Sequence, residues 1–96
     1  NVVNLNGETP LAWSAMTGTV QVAQLLIRQG ALLDAPDERG NTALHGAAKA
    51  GNVEMIHLLL ASGARSSLRN VENKTARDLA LEREQFESAR VLGAAR

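Results

Sequence analysis

Apolar residues recur along this chain at spacings of three and four, in short runs divided by polar and glycine-containing breaks. Within 53–62, Val53, Ile56, Leu59 and Leu60 form one helical stripe. Similar helices are expected near 20–29 and 86–93. Each is preceded by a short, alanine-bearing stretch that reads as a helix, at about 10–17, 43–50 and 76–83. Gly18 and Gly51 suit left-handed C-caps for the first two of these. Gly30-Ala31 and Gly63-Ala64 stop the longer helices and release an extended stretch, in which Pro36 tolerates the lack of a ladder hydrogen bond. Ahead of each short helix stands a turn: Asn4-Leu5-Asn6-Gly7, Asp37-Glu38-Arg39-Gly40 and Asn70-Val71-Glu72-Asn73. Asp or Asn first and Gly or Asn fourth suit a type I turn that closes into a left-handed residue. A threonine then offers its hydroxyl as an N-cap, and Pro10 takes a first helical position, where a missing N–H costs nothing.

This order of elements repeats. Thr9, Thr42 and Thr75 stand 33 residues apart. The same shift pairs Gly7 with Gly40, Leu11 with Leu44, Ala15 with Ala48, Gly18 with Gly51 and Leu26 with Leu59. A third unit is more diverged but keeps Ala43/Ala76, Ala47/Ala80, Glu54/Glu87 and Leu59/Leu92. A fixed period of this length denotes stacked units, each too thin to bury its own apolar face. Units are read at about 4–36, 37–69 and 70–96, forming a single domain over 1–96.

Composition narrows the classes. Ten basic residues balance ten acidic ones, so no net field draws the chain to nucleic acid or to an anionic membrane. With no cysteine there is neither a disulfide framework nor a thiolate metal site, which favours an intracellular setting, cytoplasmic or nuclear. No apolar run approaches the roughly 20 residues of a membrane span. The chain opens at Asn1, which aligns with Asp34 partway through a unit, so a piece of a longer protein is expected.

The phrases Gly7-Glu8-Thr9-Pro10-Leu11, Gly40-Asn41-Thr42-Ala43-Leu44-His45-Gly46-Ala47-Ala48 and Leu58-Leu59-Leu60-Ala61-Ser62-Gly63-Ala64 resemble the ankyrin repeat. The resemblance covers nearly the whole chain. It implies an all-α repeat solenoid of stacked antiparallel helix pairs, with short β-hairpin fingers projecting from it. It also implies a structural role for His45, bracing the neighbouring finger. Unit one departs by carrying Ala12 where the family places histidine. Unit three departs with Arg77 for an expected leucine, Asn73 for the turn glycine and Glu84 for the helix-ending glycine. Its charged second half suits a terminal cap, whose outer face no neighbour covers. Unit one lacks such polar dressing, and its Val2, Val3, Leu5 and Leu11 point to further repeats upstream and to weak self-association of the isolated chain.

No catalytic constellation stands out, and the chain is read as no enzyme, with no cofactor and no metal. His57 aligns with Gln24 and Arg90, which places it towards solvent. Ser14 aligns with Ala47 and Ala80 and reads as a small core residue rather than a nucleophile. Asp34 and Asp37 are expected to bond their own backbone in the finger and turn. The glycines fall at turns and helix ends, not in a phosphate-cradling pattern.

A stacked array presents one concave surface, made of fingers and first helices. The candidate partner-binding residues on it are Leu5, Glu8, Trp13, Met16, Glu38, Arg39, Asn41, Lys49, Lys74 and Arg83. The expected occupant is a protein or peptide with an apolar anchor on Trp13 and Met16 and a polar part on Arg39, Lys49 and Arg83, since aromatic and arginine side chains dominate interfaces. The function so read is a non-catalytic interaction module, a scaffold or adaptor segment. A regulatory repeat domain of a larger enzyme, channel or transcription regulator, and a purely structural spacer, are the alternatives.

Overall fold

The computed structural model describes residues 9–94. Among them lie six helices: α1 Pro10–Thr17, α2 Val20–Arg28, α3 Ala43–Ala50, α4 Val53–Ala61, α5 Ala76–Glu82 and α6 Phe86–Ala94. The turn expected at 4–7 and the residues Val2, Val3, Leu5 and Glu8 lie outside the described residues.

Local chemistry starts and stops each helix. The Thr9 hydroxyl accepts from Ala12 N–H at 3.1 Å and caps α1, with Pro10 in the first turn. Thr75 and Asp78 exchange hydrogen bonds at the start of α5 in a reciprocal capping box. Asn52 caps α4 by accepting from Met55 N–H at 3.1 Å. The second helices of units one and two end in the same way, Ala31 N–H reaching back to the Leu26 carbonyl and Ala64 N–H to that of Leu59. This is the 6→1 closure that follows a left-handed glycine, here Gly30 and Gly63.

The helices form two rows. α1, α3 and α5 pack side by side, and α2, α4 and α6 pack behind them, each first helix also contacting the second helix of its own unit. The front row meets through Ala12, Ala15, Ala47, Ala48, Ala76 and Ala80, all buried, which lets the short helices approach closely. Leu11, Leu44, Met55, Ile56 and Leu59 are fully buried in the core that unites the two rows. Truncating any one of these to alanine costs about 2–5 kcal/mol, a large share of a total stability of about 5–15 kcal/mol. The architecture is an α repeat fold.

The connecting fingers differ from the β-hairpins that the resemblance implies. Among the described residues no strand is present, and 37–41 and 70–74 are tight turns. Asp37 N–H donates to the Asn41 carbonyl at 2.9 Å, and Asn70 N–H to that of Lys74 at 2.9 Å. Inside each turn Gly40 N–H returns to Asp37, and Asn73 N–H to Asn70. One backbone bond per base is too little to propagate a ladder. Asp34 also departs from expectation: its Oδ1 accepts from Arg65 N–H at 3.0 Å, in the next unit rather than in its own backbone.

Two positions show what the third unit lost as it diverged. Gly40 has φ +77°, and a Cβ there would lie 3.0 Å from Asn70 Cα and 3.1 Å from Val71 N. Its counterpart Asn73 holds φ 63°, a conformation that asparagine tolerates. Gly51, with φ +71°, ends α3, and a Cβ there would collide with the Gln85 side chain. Its counterpart Glu84 is forced to φ 57° after α5, where a side chain costs about 1–2 kcal/mol. Glu84→Gly is therefore expected to raise unfolding stability by about 1 kcal/mol, and Gly40→Ala to lower it by at least as much, as read by urea denaturation. An unchanged midpoint for both variants contradicts this account of the turns.

Candidate functional site

The groove begins with the turn of unit two. Asp37 Oδ1 accepts from Arg39 N–H at 2.8 Å and from Asn41 N–H at 2.9 Å, so the acid is committed to shaping its own turn. Asn70 does the same one period later, its Oδ1 accepting from Glu72 N–H at 2.9 Å and Lys74 N–H at 3.0 Å. The second atom of the Asn70 amide, Nδ2, donates to Asn41 Oδ1 at 2.9 Å. Backbone joins the two turns as well, Val71 N–H donating to the Arg39 carbonyl at 2.9 Å.

His45 fastens the same junction from below. Its Nδ1 accepts from Thr42 N–H at 3.1 Å, which fixes that nitrogen as unprotonated. The Thr42 hydroxyl, 3.0 Å away, donates to it too. The proton therefore sits on Nε2, which donates to the Lys74 carbonyl at 3.0 Å. Burial pushes the imidazole pKa below its ordinary 6.5, against the opposing pull of the Lys74 carbonyl and the Asp37 carboxylate.

Above this junction two concavities lie side by side. The first, about 320 Å³, is bordered by Ala12 and Met16 of α1, Gly46 and Lys49 of α3, and the turn residues Asp37, Glu38, Arg39, Asn41 and Thr42. The second, about 260 Å³, is bordered by Asn70, Val71, Glu72 and Leu79 together with Arg39, Asn41 and Lys49. Arg39, Asn41 and Lys49 thus belong to both. Gly46, buried on α3, makes room for the Met16 side chain at the edge of the first one: a Cβ there would stand 2.9 Å from Met16 Cγ. A glycine inside a helix costs about 1 kcal/mol relative to alanine.

The charged groups divide into engaged and unengaged. Lys74 Nζ pairs with Glu82, and that hydrogen bond raises the ammonium pKa. Arg69 stands 4.0 Å from Asp78, whose carboxyl is held below its ordinary range chiefly by Thr75 N–H. Arg39 and Lys49 form no ion pair among the described residues. No three histidine, aspartate or glutamate side chains come together there in a way that holds a metal ion.

The family description "Ankyrin repeats (3 copies)" matches residues 1–70 and again 37–95. The chain belongs to the ankyrin-repeat family. No curated protein matches it. Ankyrin repeats are in general protein-interaction modules and typically non-catalytic. Among the described residues no helix is long and apolar enough to cross a membrane.

In this ankyrin chain the candidate residues are partly gathered. Met16, Glu38, Arg39, Asn41 and Lys49 border the first concavity. Trp13, at the register of Gly46, is 48% exposed on α1 but borders neither concavity. Lys74 is turned to Glu82, and Arg83 stands exposed at the end of α5. Leu5 and Glu8 lie outside the described residues. Asp37 and Asn70 were not among the candidates, although their spacing of one period and their side-chain chemistry mark both as the residues that set the turns. Ser14 is buried and donates to the Leu11 carbonyl at 2.8 Å, and His57 is exposed.

Because the folded imidazole of His45 resists protonation, the unfolded chain binds more protons as pH falls below about 6.5, and stability declines with it. Above that pH the contribution is fully present. The stability difference between the native chain and His45→Gln is expected to shrink as pH is lowered from 7.5 towards 5, in parallel urea titrations. A difference independent of pH contradicts the lowered pKa of the folded imidazole.

Proposed function

We propose that this chain is a scaffold or adaptor segment that binds a protein or peptide partner on its concave face of turns and first helices. The observation that carries the proposal is the first concavity, where α1, α3 and the unit-two turn gather Met16, Glu38, Arg39, Asn41 and Lys49. Interfaces favour this combination of an apolar flank with arginine and hydrogen-bonding groups. Within the proposal the units run at about 4–36, 37–69 and 70–96, the last acting as a C-terminal cap. Exposed Arg77, at the register of buried Leu44, supports that assignment. An intracellular setting belongs to the same reading, supported by the absence of cysteine.

Capture from cell lysate, comparing native chain with Arg39→Glu/Lys49→Glu, tests the face. Both cations border the groove and neither lies in the buried core, so circular dichroism and melting temperature are expected to stay within a few degrees of native. Proteins retained by the native chain are expected to be lost from the variant. Retention of the same set by both baits places recognition elsewhere on the molecule.

A further inference from the structure

We infer that the partner is an extended peptide segment with one aspartate or glutamate carboxylate seated on Arg39, Asn41 and Lys49, and an apolar side chain on either side of it. The inference rests on the concave-face reading above and specifies what that face recognises.

The hydrogen-bond roles at the shared wall are fixed by elimination. Backbone amides only donate, so the Asn70 atom that receives Glu72 N–H and Lys74 N–H is its oxygen. The remaining atom of that amide is therefore the NH₂ group, and it donates to Asn41. Asn41 must then present its own oxygen to Asn70, which leaves the Asn41 NH₂ as the free end. Beside it stand the guanidinium of Arg39 and the ammonium of Lys49, groups that donate and never accept, and neither is ion-paired among the described residues. The three residues that carry these donor groups border both concavities, and a ligand that engages the groups must bring acceptors.

The surrounding charges limit how much negative charge the occupant carries. Asp37, Glu38 and Glu72 also border these concavities, and Asp37 alone is committed to backbone amides. In the first concavity Arg39 and Lys49 are balanced by Asp37 and Glu38, whereas in the second they face Glu72 alone, so one positive charge is left to match a single carboxylate there. A phosphate dianion meets repulsion from Glu38 and Glu72. A carboxylate fits the site better than a phosphate, and charge-assisted bonds to arginine and lysine suit it.

Apolar surface lies on both sides of the donor wall. Ala12 and Met16 flank it in the first concavity, and Val71 and Leu79 in the second, with Val71 72% exposed. In an extended peptide, side chains two residues apart point to the same face. The recognised pattern is therefore apolar–x–acidic–x–apolar, the x residues facing solvent.

Selection of phage-displayed random twelve-residue peptides on the full chain, followed by fluorescence polarisation of the enriched peptides, tests this. The expected result is enrichment of that pattern. Replacing the acidic residue by its amide is expected to weaken binding roughly tenfold, as for a lost bond to a charged group. That penalty is expected to vanish on Lys49→Met with Arg39→Gln, the coupling of a double-mutant cycle. Peptides that compete for the groove yet bind equally as acid or amide overturn the carboxylate assignment and leave the concave-face reading intact. Preference for a phosphoserine at that place overturns the single-charge argument. Enriched peptides whose binding is unaffected by the Arg39 and Lys49 variants overturn both readings.

Discussion

Three hydrogen bonds hold the turn of the second unit against that of the third. Val71 N–H meets the Arg39 carbonyl, the Asn70 amide meets Asn41, and His45 Nε2–H meets the Lys74 carbonyl. They come from three separate parts of the unit: turn backbone, turn side chain and first helix. Each ends on a group of the neighbouring unit, so together they fix both the distance and the rotation between successive turns. Gly40 permits this spacing, since any Cβ there lies against the backbone of residues 70 and 71. The groove above exists because its wall is held at this junction.

The helices behind the turns follow a complementary logic. Alanines where the front helices meet allow close approach, and the bulky residues sit on or against the second helices, where Met55, Ile56 and Leu59 vanish from solvent. Neither row encloses a core alone. Burial therefore comes from stacking, and stability is shared between a unit and its neighbour. The third unit shows the limit of that sharing. Arg77 and Leu81, at the registers of buried Leu44 and Ala48, are exposed on its outer side, while Ser88 takes the buried register of Met55 with a hydroxyl that finds no partner among the described residues.

What was legible in the sequence is what is decided locally. Threonine caps, Pro10, the glycine stops and the apolar stripes are each settled within a few residues, and the helices begin where these signals place them. The second helices of units one and two end at Arg28 and Ala61, one residue short of expectation, because Gln29 and Ser62 already serve as C-caps. The reach of Asp34 to Arg65 depends on spacing between units, which no single unit encodes, and the absence of strands among the described residues follows from the one backbone bond at each turn base. The site divides in the same way. Register alone put Met16, Arg39, Asn41 and Lys49 on one face. That Lys74 is engaged with Glu82, and that Asn41 turns its oxygen to Asn70, follow only once the turns are stacked.

Register also explains how a repeated scaffold carries an unrepeated surface. One place on the first helix holds Met16, Lys49 and Glu82 in successive units, and another holds Trp13, Gly46 and Leu79. Had the acid of the third unit been unengaged, it would be a candidate counter-ion for Lys49 in the unit before it. Lys74 instead takes up Glu82 within its own unit. An exposed pair of this kind adds little to stability, about 0–1 kcal/mol. Its consequence is for recognition: by occupying Glu82 it leaves Lys49 with Arg39 at the wall of the groove. Of the two substitutions that set the second unit apart from the first at these places, lysine for methionine supplies charge to the groove, and glycine for tryptophan lets Met16 of the first unit pack against the second.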